Sequence, residues 1–215
     1  MTDIPQKSSV LIRDAWNYFT RRYCLNDAQV AQFKAYAALL VRENAQYNLT
    51  AITQEDLILE YHFADSLELG TMIDMSTISC ICDVGTGAGF PGLALKIKYP
   101  HLSVVLIEVV QKKIDFLTMV IAQLGLKDVQ IYTQDWRTFI RKTNFPVELF
   151  CARASLRPDE LIRAFQGGSE YRDAQVVYWA SQDWAPDAKE QPFLKQTVSY
   201  SLKDRVRQYA LFSRV

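Results

Sequence analysis

Between positions 83 and 92 the chain reads Asp-Val-Gly-Thr-Gly-Ala-Gly-Phe-Pro-Gly, and few folds can hold such a segment where it stands. The apolar run 78–84 before it reads as a buried strand, and 92–99 after it reads as a helix with Pro91 suited to its first turn. Gly87-x-Gly89-x-x-Gly92 therefore falls where a strand turns into a helix, the position of a nucleotide-type binding loop. Glycines there tighten the turn and let backbone N–H groups approach a ligand. A second apolar run, 104–107, closes on Glu108, where a carboxylate can bind both hydroxyls of a ribose.

The rhythm continues downstream. Residues 112–124 are amphipathic, with Ile114, Leu117, Ile121 and Leu124 on one stripe and Gly125 as a stop. Residues 129–133, 147–152 and 174–179 read as strands, with helical stretches at 136–142 and 159–165 between them. Two tail segments, 196–202 and 208–213, suit a hairpin. This alternation predicts an α/β fold, a largely parallel sheet covered by helices on both faces. Residues 1–75 read instead as an N-terminal helical extension to the sheet domain of residues 76–215. Val10, Leu11, Ala15, Trp16, Phe19 and Tyr23 recur at helical spacing. A second helix starts at Asn26 or Asp27, either a suitable N-cap, and a third follows Thr53, whose Thr-Gln-Glu-Asp continuation reads as a capping box. That third helix carries four acids by Asp65 and no base.

Asp83 discriminates between ligands. An acid just ahead of the first glycine repels the pyrophosphate that a dinucleotide would place there, and it suits a cation. S-adenosylmethionine has an ammonium, a sulfonium and no phosphate. Asp83 is expected to hold its methionyl end through the loop or a water, Glu108 the ribose, and Asp135 the adenine edge. An acid at a strand end, as Asp135 is, also serves as a helix cap.

Charge and composition bound the partners. The 24 basic and 24 acidic residues cancel, which excludes a histone-type polyanion binder but not a local basic patch. Up to position 75 there are 6 bases and 10 acids; beyond it, 18 and 14. The cofactor half is thus the expected RNA-facing half, and the acidic third helix is not. No apolar run approaches the roughly 20 residues of a membrane span, and the first nine residues lack a signal-peptide pattern, so an intracellular, cytoplasmic chain is expected. Cys80 and Cys82, one residue apart in an apolar run, fit buried packing better than zinc spacing.

At this point a family resemblance emerges. The Asp83–Gly92 segment, with Asn48-Leu-Thr-Ala-Ile52 and His62-Phe-Ala-Asp-Ser-Leu67 upstream, resembles the glucose-inhibited division protein B family. Its members methylate a guanine N7 of bacterial 16S ribosomal RNA with S-adenosylmethionine, on a Rossmann-like class I methyltransferase sheet. The resemblance implies that Gly85 and Phe90 line the cofactor, that Trp136 and Arg137 stand at its adenine region, and that Arg153 is the arginine of an Arg-Ala segment. Thr86, Gly87 and Gly89 of the glycine loop complete the candidate cofactor-binding set, to which Arg153 also belongs. It implies 16S RNA or the small ribosomal subunit as partner, and a monomer is expected. Tyr61 stands where the family usually has arginine, Ser155 where an aromatic or aliphatic residue is common, and Ala180-Ser181 where it has Lys-Gly. Two of these remove positive charge from the expected substrate side. A methyltransferase with another substrate, and a cofactor-binding protein without activity, remain alternatives.

The chemistry needs few catalytic groups, because guanine N7 has a free lone pair and requires no deprotonation. Alignment of the reacting atoms is the main demand. His62, Asp65 and Arg153 are the candidate catalytic residues. His62 equally suits a structural bridge, and Arg153 can hold an RNA phosphate, the cofactor carboxylate or a structural acid. Scattered cations such as Arg137, Arg141, Lys142, Arg157 and Arg163 are candidate RNA contacts.

Overall fold

The computed structural model describes residues 4–214, with side chains from Ile12 onward. The helix expected over 9–23 runs Ile4–Arg22 (α1), and its Val10 and Leu11 lie outside the described side chains. Helix α2, Asp27–Tyr47, begins at Asn26, which forms a reciprocal capping box with Gln29 and settles the choice of N-cap.

The third helix departs from expectation. It is a broken rod: α3 (Glu55–Ile58), a π-helical segment Leu59–Ala64, then α4 (Asp65–Leu67) and α5 (Leu69–Met72). Its N-cap is Gln54, without a side-chain capping bond, so Thr53 does not cap it. Packing overrides the local signal. Phe63 and Leu67 are fully buried, and the acids are satisfied by residues remote in sequence: Asp56 by Lys203, Asp65 by Arg153, Glu68 by Arg22.

The sheet follows the predicted alternation. Strands β1 (Cys80–Val84), β2 (Ser103–Ile107), β3 (Val129–Tyr132), β4 (Leu149–Arg153) and β5 (Gln175–Ser181) pair in parallel. The tail forms the expected hairpin, β6 (Leu194–Ser201) and β7 (Val206–Phe212), with β7 antiparallel to β5. The order is β3-β2-β1-β4-β5-β7-β6. Four helices connect the parallel strands: α6 (Gly92–Lys98), α7 (Gln111–Leu124), α8 (Trp136–Lys142) and α9 (Pro158–Leu161), the last continued by a 3-10 turn Ile162–Phe165.

Alternating strand residues face opposite sides of a sheet, and the core divides accordingly. Ile81, Leu106, Cys151 and Trp179 pack under α1, α2, the π-helical segment, α6 and α7. Cys80, Cys82, Val105 and Phe150 pack under α8, α9 and the 3-10 turn. Cys80 and Cys82 are packing residues, and burial pushes both thiols above their ordinary range. An aromatic chain, Phe19–Phe33–Phe63–Phe90, ties α1 and α2 to the glycine turn with centroids 4.9–5.8 Å apart. No described helix is long and apolar enough to cross a membrane.

Candidate active site

The five parallel strands end on one edge, and ligands of open α/β sheets bind outside such an edge. There lies a cavity of about 540 Å³. Its wall is formed by Val84 and Gly85 from β1, Ile107, Glu108 and Val109 from β2, and Asp135 to Arg137 at the start of α8. Ala154, Ser155 and Leu156 after β4 close the far side.

The turn is held from beneath. Asp83 is 1% exposed, and its Oδ2 accepts hydrogen bonds from Thr86 Oγ1 (2.6 Å) and the Gly92 N–H (2.7 Å). Its Oδ1 is buried without a partner. Burial pushes the carboxyl up to about 6, against the opposing pull of those two bonds and of Arg153. Asp83 therefore sits behind the cavity wall rather than on it. Gly85 adopts φ +67°, and a Cβ there would stand 2.6 Å from Ser155 Cβ. Small residues at 85 and 155 thus keep two loops in contact, which gives the serine at 155 a physical role. Gly89, at φ +96°, leaves room for the Tyr36 hydroxyl, which donates to the Ala88 carbonyl.

Glu108 is buried at the end of β2. Its Oε1 accepts from the Val109 and Val110 N–H groups (2.9 and 3.0 Å), and its Oε2 accepts from the Gly87 N–H (3.1 Å), with Lys113 Nζ 3.6 Å away. It locks the glycine turn to the second strand. Asp135 caps α8 through the Thr138 N–H (2.8 Å), which holds its carboxyl below the usual range, and it also lines the cavity. Trp136 is buried, with its indole N–H donated to the Glu160 carbonyl. Arg137 is exposed and forks onto the Glu160 carboxylate at 2.9 and 3.0 Å.

His62, Asp65, Phe90 and Arg153 form a separate cluster, outside the cavity lining and next to its Ala154 rim. The His62 ring stacks on Phe90 with centroids 4.6 Å apart and planes 8° apart. Its Nε2 lies 3.0 Å from Thr50 Oγ1 and its Nδ1 3.4 Å from Arg153 Nη2. An arginine only donates, so Nδ1 accepts and Nε2 carries the proton toward Thr50. Burial and the facing guanidinium push the imidazole down to about 3. His62 is a neutral bridge, not a base poised near neutral pH. Arg153 Nη1 donates to Asp65 Oδ2 (2.8 Å) and to the Tyr61 carbonyl (3.0 Å). Asp65, 1% exposed, also accepts from the Tyr200 hydroxyl, and its backbone carbonyl accepts from Trp179 and Tyr209. Of the roles open to Arg153, this geometry realises the pairing with a structural acid.

Around Tyr61 the tail brings in charged neighbours. Arg205 lies 4.2 Å from the centre of the Tyr61 ring, whose hydroxyl donates to Asp204. Arg207 stands opposite Ser181 in the β5–β7 register. Sequence reasoning missed Thr50, Lys113, Leu156 and Glu160. Thr50 lies inside the Asn48-Leu-Thr segment already singled out, and its link to His62 joins the two upstream motifs into one contact. The others had no local signal.

A sheet in this order, with a glycine turn after its first strand and an acid closing its second, is that of a class I methyltransferase. Solved structures agree on the fold. MtNAS in complex with S-adenosylmethionine superposes with a TM-score of 0.57 at 15% identity, covering 93% of this chain and 84% of its own. The human methyltransferase 10 domain containing protein gives 0.58 at 14% identity, covering 84% and 96%. The family profile "GidB: rRNA small subunit methyltransferase G" matches residues 29–196, and the chain belongs to that family. The ribosomal RNA small subunit methyltransferase G of Geobacillus kaustophilus is 41% identical over 144 residues, 66% of this chain and 60% of its own. That of Listeria monocytogenes is 43% identical over 115 residues, 54% and 48%. The chain thus spans about half to three-fifths of the length of these curated relatives.

Proposed function

We propose that this protein transfers a methyl group from S-adenosylmethionine to a guanine N7 of 16S ribosomal RNA. Its substrate on this reading is the small ribosomal subunit in the bacterial cytoplasm. It acts as a monomer whose residues 1–75 are a helical extension of the methyltransferase domain at 76–215. The observation that carries the reading is the buried, half-unpartnered carboxylate of Asp83 behind a cavity edged by Glu108. Such a site favours a cationic, phosphate-free ligand and opposes a pyrophosphate.

When bound, the cofactor supplies an electrophilic methyl on a sulfonium sulfur. The chain does the rest by placement. Asp83 provides negative charge beneath the loop Gly85–Gly89, with Thr86 fixed on its carboxylate. Glu108, with three backbone N–H groups on its carboxylate, keeps one lone pair, on Oε2, for a ribose hydroxyl. Asp135, Trp136 and Arg137, which line the cavity, would border the adenine. His62, Asp65 and Arg153 are positioning residues, clamping Phe90 and the end of β4. Guanine N7 carries its own lone pair, so no side chain has to remove a proton, which accords with the neutral His62. Holding the reacting atoms in line supplies several kcal/mol.

The test is incubation with methyl-labelled S-adenosylmethionine and small subunits that lack the modification. Label in 16S RNA is expected. Cofactor binding without any label would reduce the protein to a cofactor-binding module.

A further inference from the structure

A second cleft, of about 670 Å³, adjoins the cofactor cavity and shares Arg137 with it. One wall is α8, with Arg137 and Arg141; the other follows the 3-10 turn, with Arg163, Gly167 and Gly168. Charge is left over inside it. Glu160 serves two guanidiniums at once, Arg137 through Nε and Nη2 and Arg163 through Nε at 3.1 Å. Arg137 Nη1 and both terminal nitrogens of Arg163 have no protein hydrogen bond among the described residues. Arg141 donates its Nε to the Arg137 carbonyl (2.9 Å) and makes no ion pair among the described residues. The lining holds three arginines and one acid, Glu170, and Glu160, outside the lining, pairs with two of the three, so three cations meet two acids. The Gly167–Gly168 wall is open, since a Cβ at either would meet nothing within 4 Å.

We propose that this cleft receives the phosphates of the RNA strand beside the target base. The inference rests on the reading of the substrate as 16S RNA and assigns it a docking surface. Guanidinium forks with unused donors match phosphate oxygens in geometry and charge. Contacts of this kind set position and register and leave sequence to the reacting site. Because Arg137 borders both spaces, a strand held here lies next to the cofactor cavity. A local excess of one charge also suits a protein of zero net charge, which gains its affinity from a few placed contacts rather than a basic surface.

The test uses the full chain and the double variant Arg141→Ala/Arg163→Ala, neither residue lining the cofactor cavity. Filter binding of labelled, unmodified small subunits and of naked 16S RNA is measured across a salt series, with S-adenosylmethionine affinity by calorimetry alongside. The double variant is expected to bind subunits at least tenfold more weakly. Its salt dependence should flatten by about two counterions, with cofactor affinity within twofold and lysines at both positions restoring most of the slope. Unchanged affinity and slope overturn the proposal. So does a loss confined to subunits while both proteins bind naked RNA equally, which assigns the cleft to a ribosomal protein. If the wild type binds neither target, the cleft and the substrate reading fall together. If it labels 16S RNA while the double variant binds normally, the cleft alone falls.

Discussion

Asp83→Asn separates what Asp83 does for the fold from what it does for the ligand. Burial pushes the carboxyl up to about 6, against about 3.9 in an unfolded chain. That difference amounts to about 3 kcal/mol against the folded state once the group is ionised. Asparagine keeps an oxygen for the Thr86 hydroxyl and the Gly92 N–H and removes the charge. Burying its amide costs about 1–2 kcal/mol, leaving a net gain of about 1–2 kcal/mol at pH 7.5. For a chain of this size that raises Tm by about 2–8 °C. The sign follows from linkage: the penalty is absent below about pH 4, where both states are protonated, grows from pH 4 to 6, and is complete above. Thermal melts of both proteins from pH 4 to 8, with and without S-adenosylmethionine, make the comparison. The empty variant should be the more stable above pH 6 and converge with wild type near pH 4, while its ligand-induced Tm rise shrinks. A variant less stable than wild type at pH 7.5, or a Tm difference that ignores pH, refutes the reasoning.

Other substitutions probe the remaining contacts. Glu108→Gln sets an amide against either Gly87 N–H or the Val109 and Val110 N–H groups. It should weaken S-adenosylmethionine binding in calorimetry by about ten- to a hundredfold, the worth of a charged hydrogen bond; equal affinity would remove Glu108 from the site. Gly85→Ala adds a Cβ at positive φ against Ser155 and should cost about 1–2 kcal/mol from backbone strain alone, read as a lower urea midpoint. Asp65→Ala strands Arg153 and Arg207 and should cost about 3–5 kcal/mol; a loss under 1 kcal/mol would mean that the acid is not the hub. His62, held near 3 when folded and about 6.5 when unfolded, lends stability above pH 6.5 that fades as pH falls toward 3. The stability gap between wild type and His62→Gln should therefore narrow by about 2 kcal/mol from pH 6.5 to pH 5 in urea titrations.

The sheet was legible because its strands are apolar runs punctuated by glycine and by acids at their ends, so β1, β2 and the turn between β1 and α6 lie where periodicity puts them. The place of Glu108 at the end of β2 was legible for the same reason, but its three backbone N–H bonds, which lock the glycine turn, were not. The third helix was not. Its π-helical segment answers to the packing of its Phe63 on Phe33, Tyr36 and Phe90, and no local pattern encodes that. Residue counts by half likewise gave a basic and an acidic part, but the fold interleaves them. Lys203 and Arg153 come back to cover the acids of that helix. Arg153 illustrates the limit most clearly, since three partners were open to it in the sequence and only the packing of β4 on the π-helical segment brings Asp65 within reach.

On the proposed function, an acid-backed cavity at the edge of this sheet delivers a methyl group to guanine N7. The most direct test is to digest labelled 16S RNA to nucleosides after reaction and identify the one that carries the label. Label that comigrates with 7-methylguanosine at a single position is the expected result. Label in any other nucleoside, or in ribosomal protein alone, would contradict it.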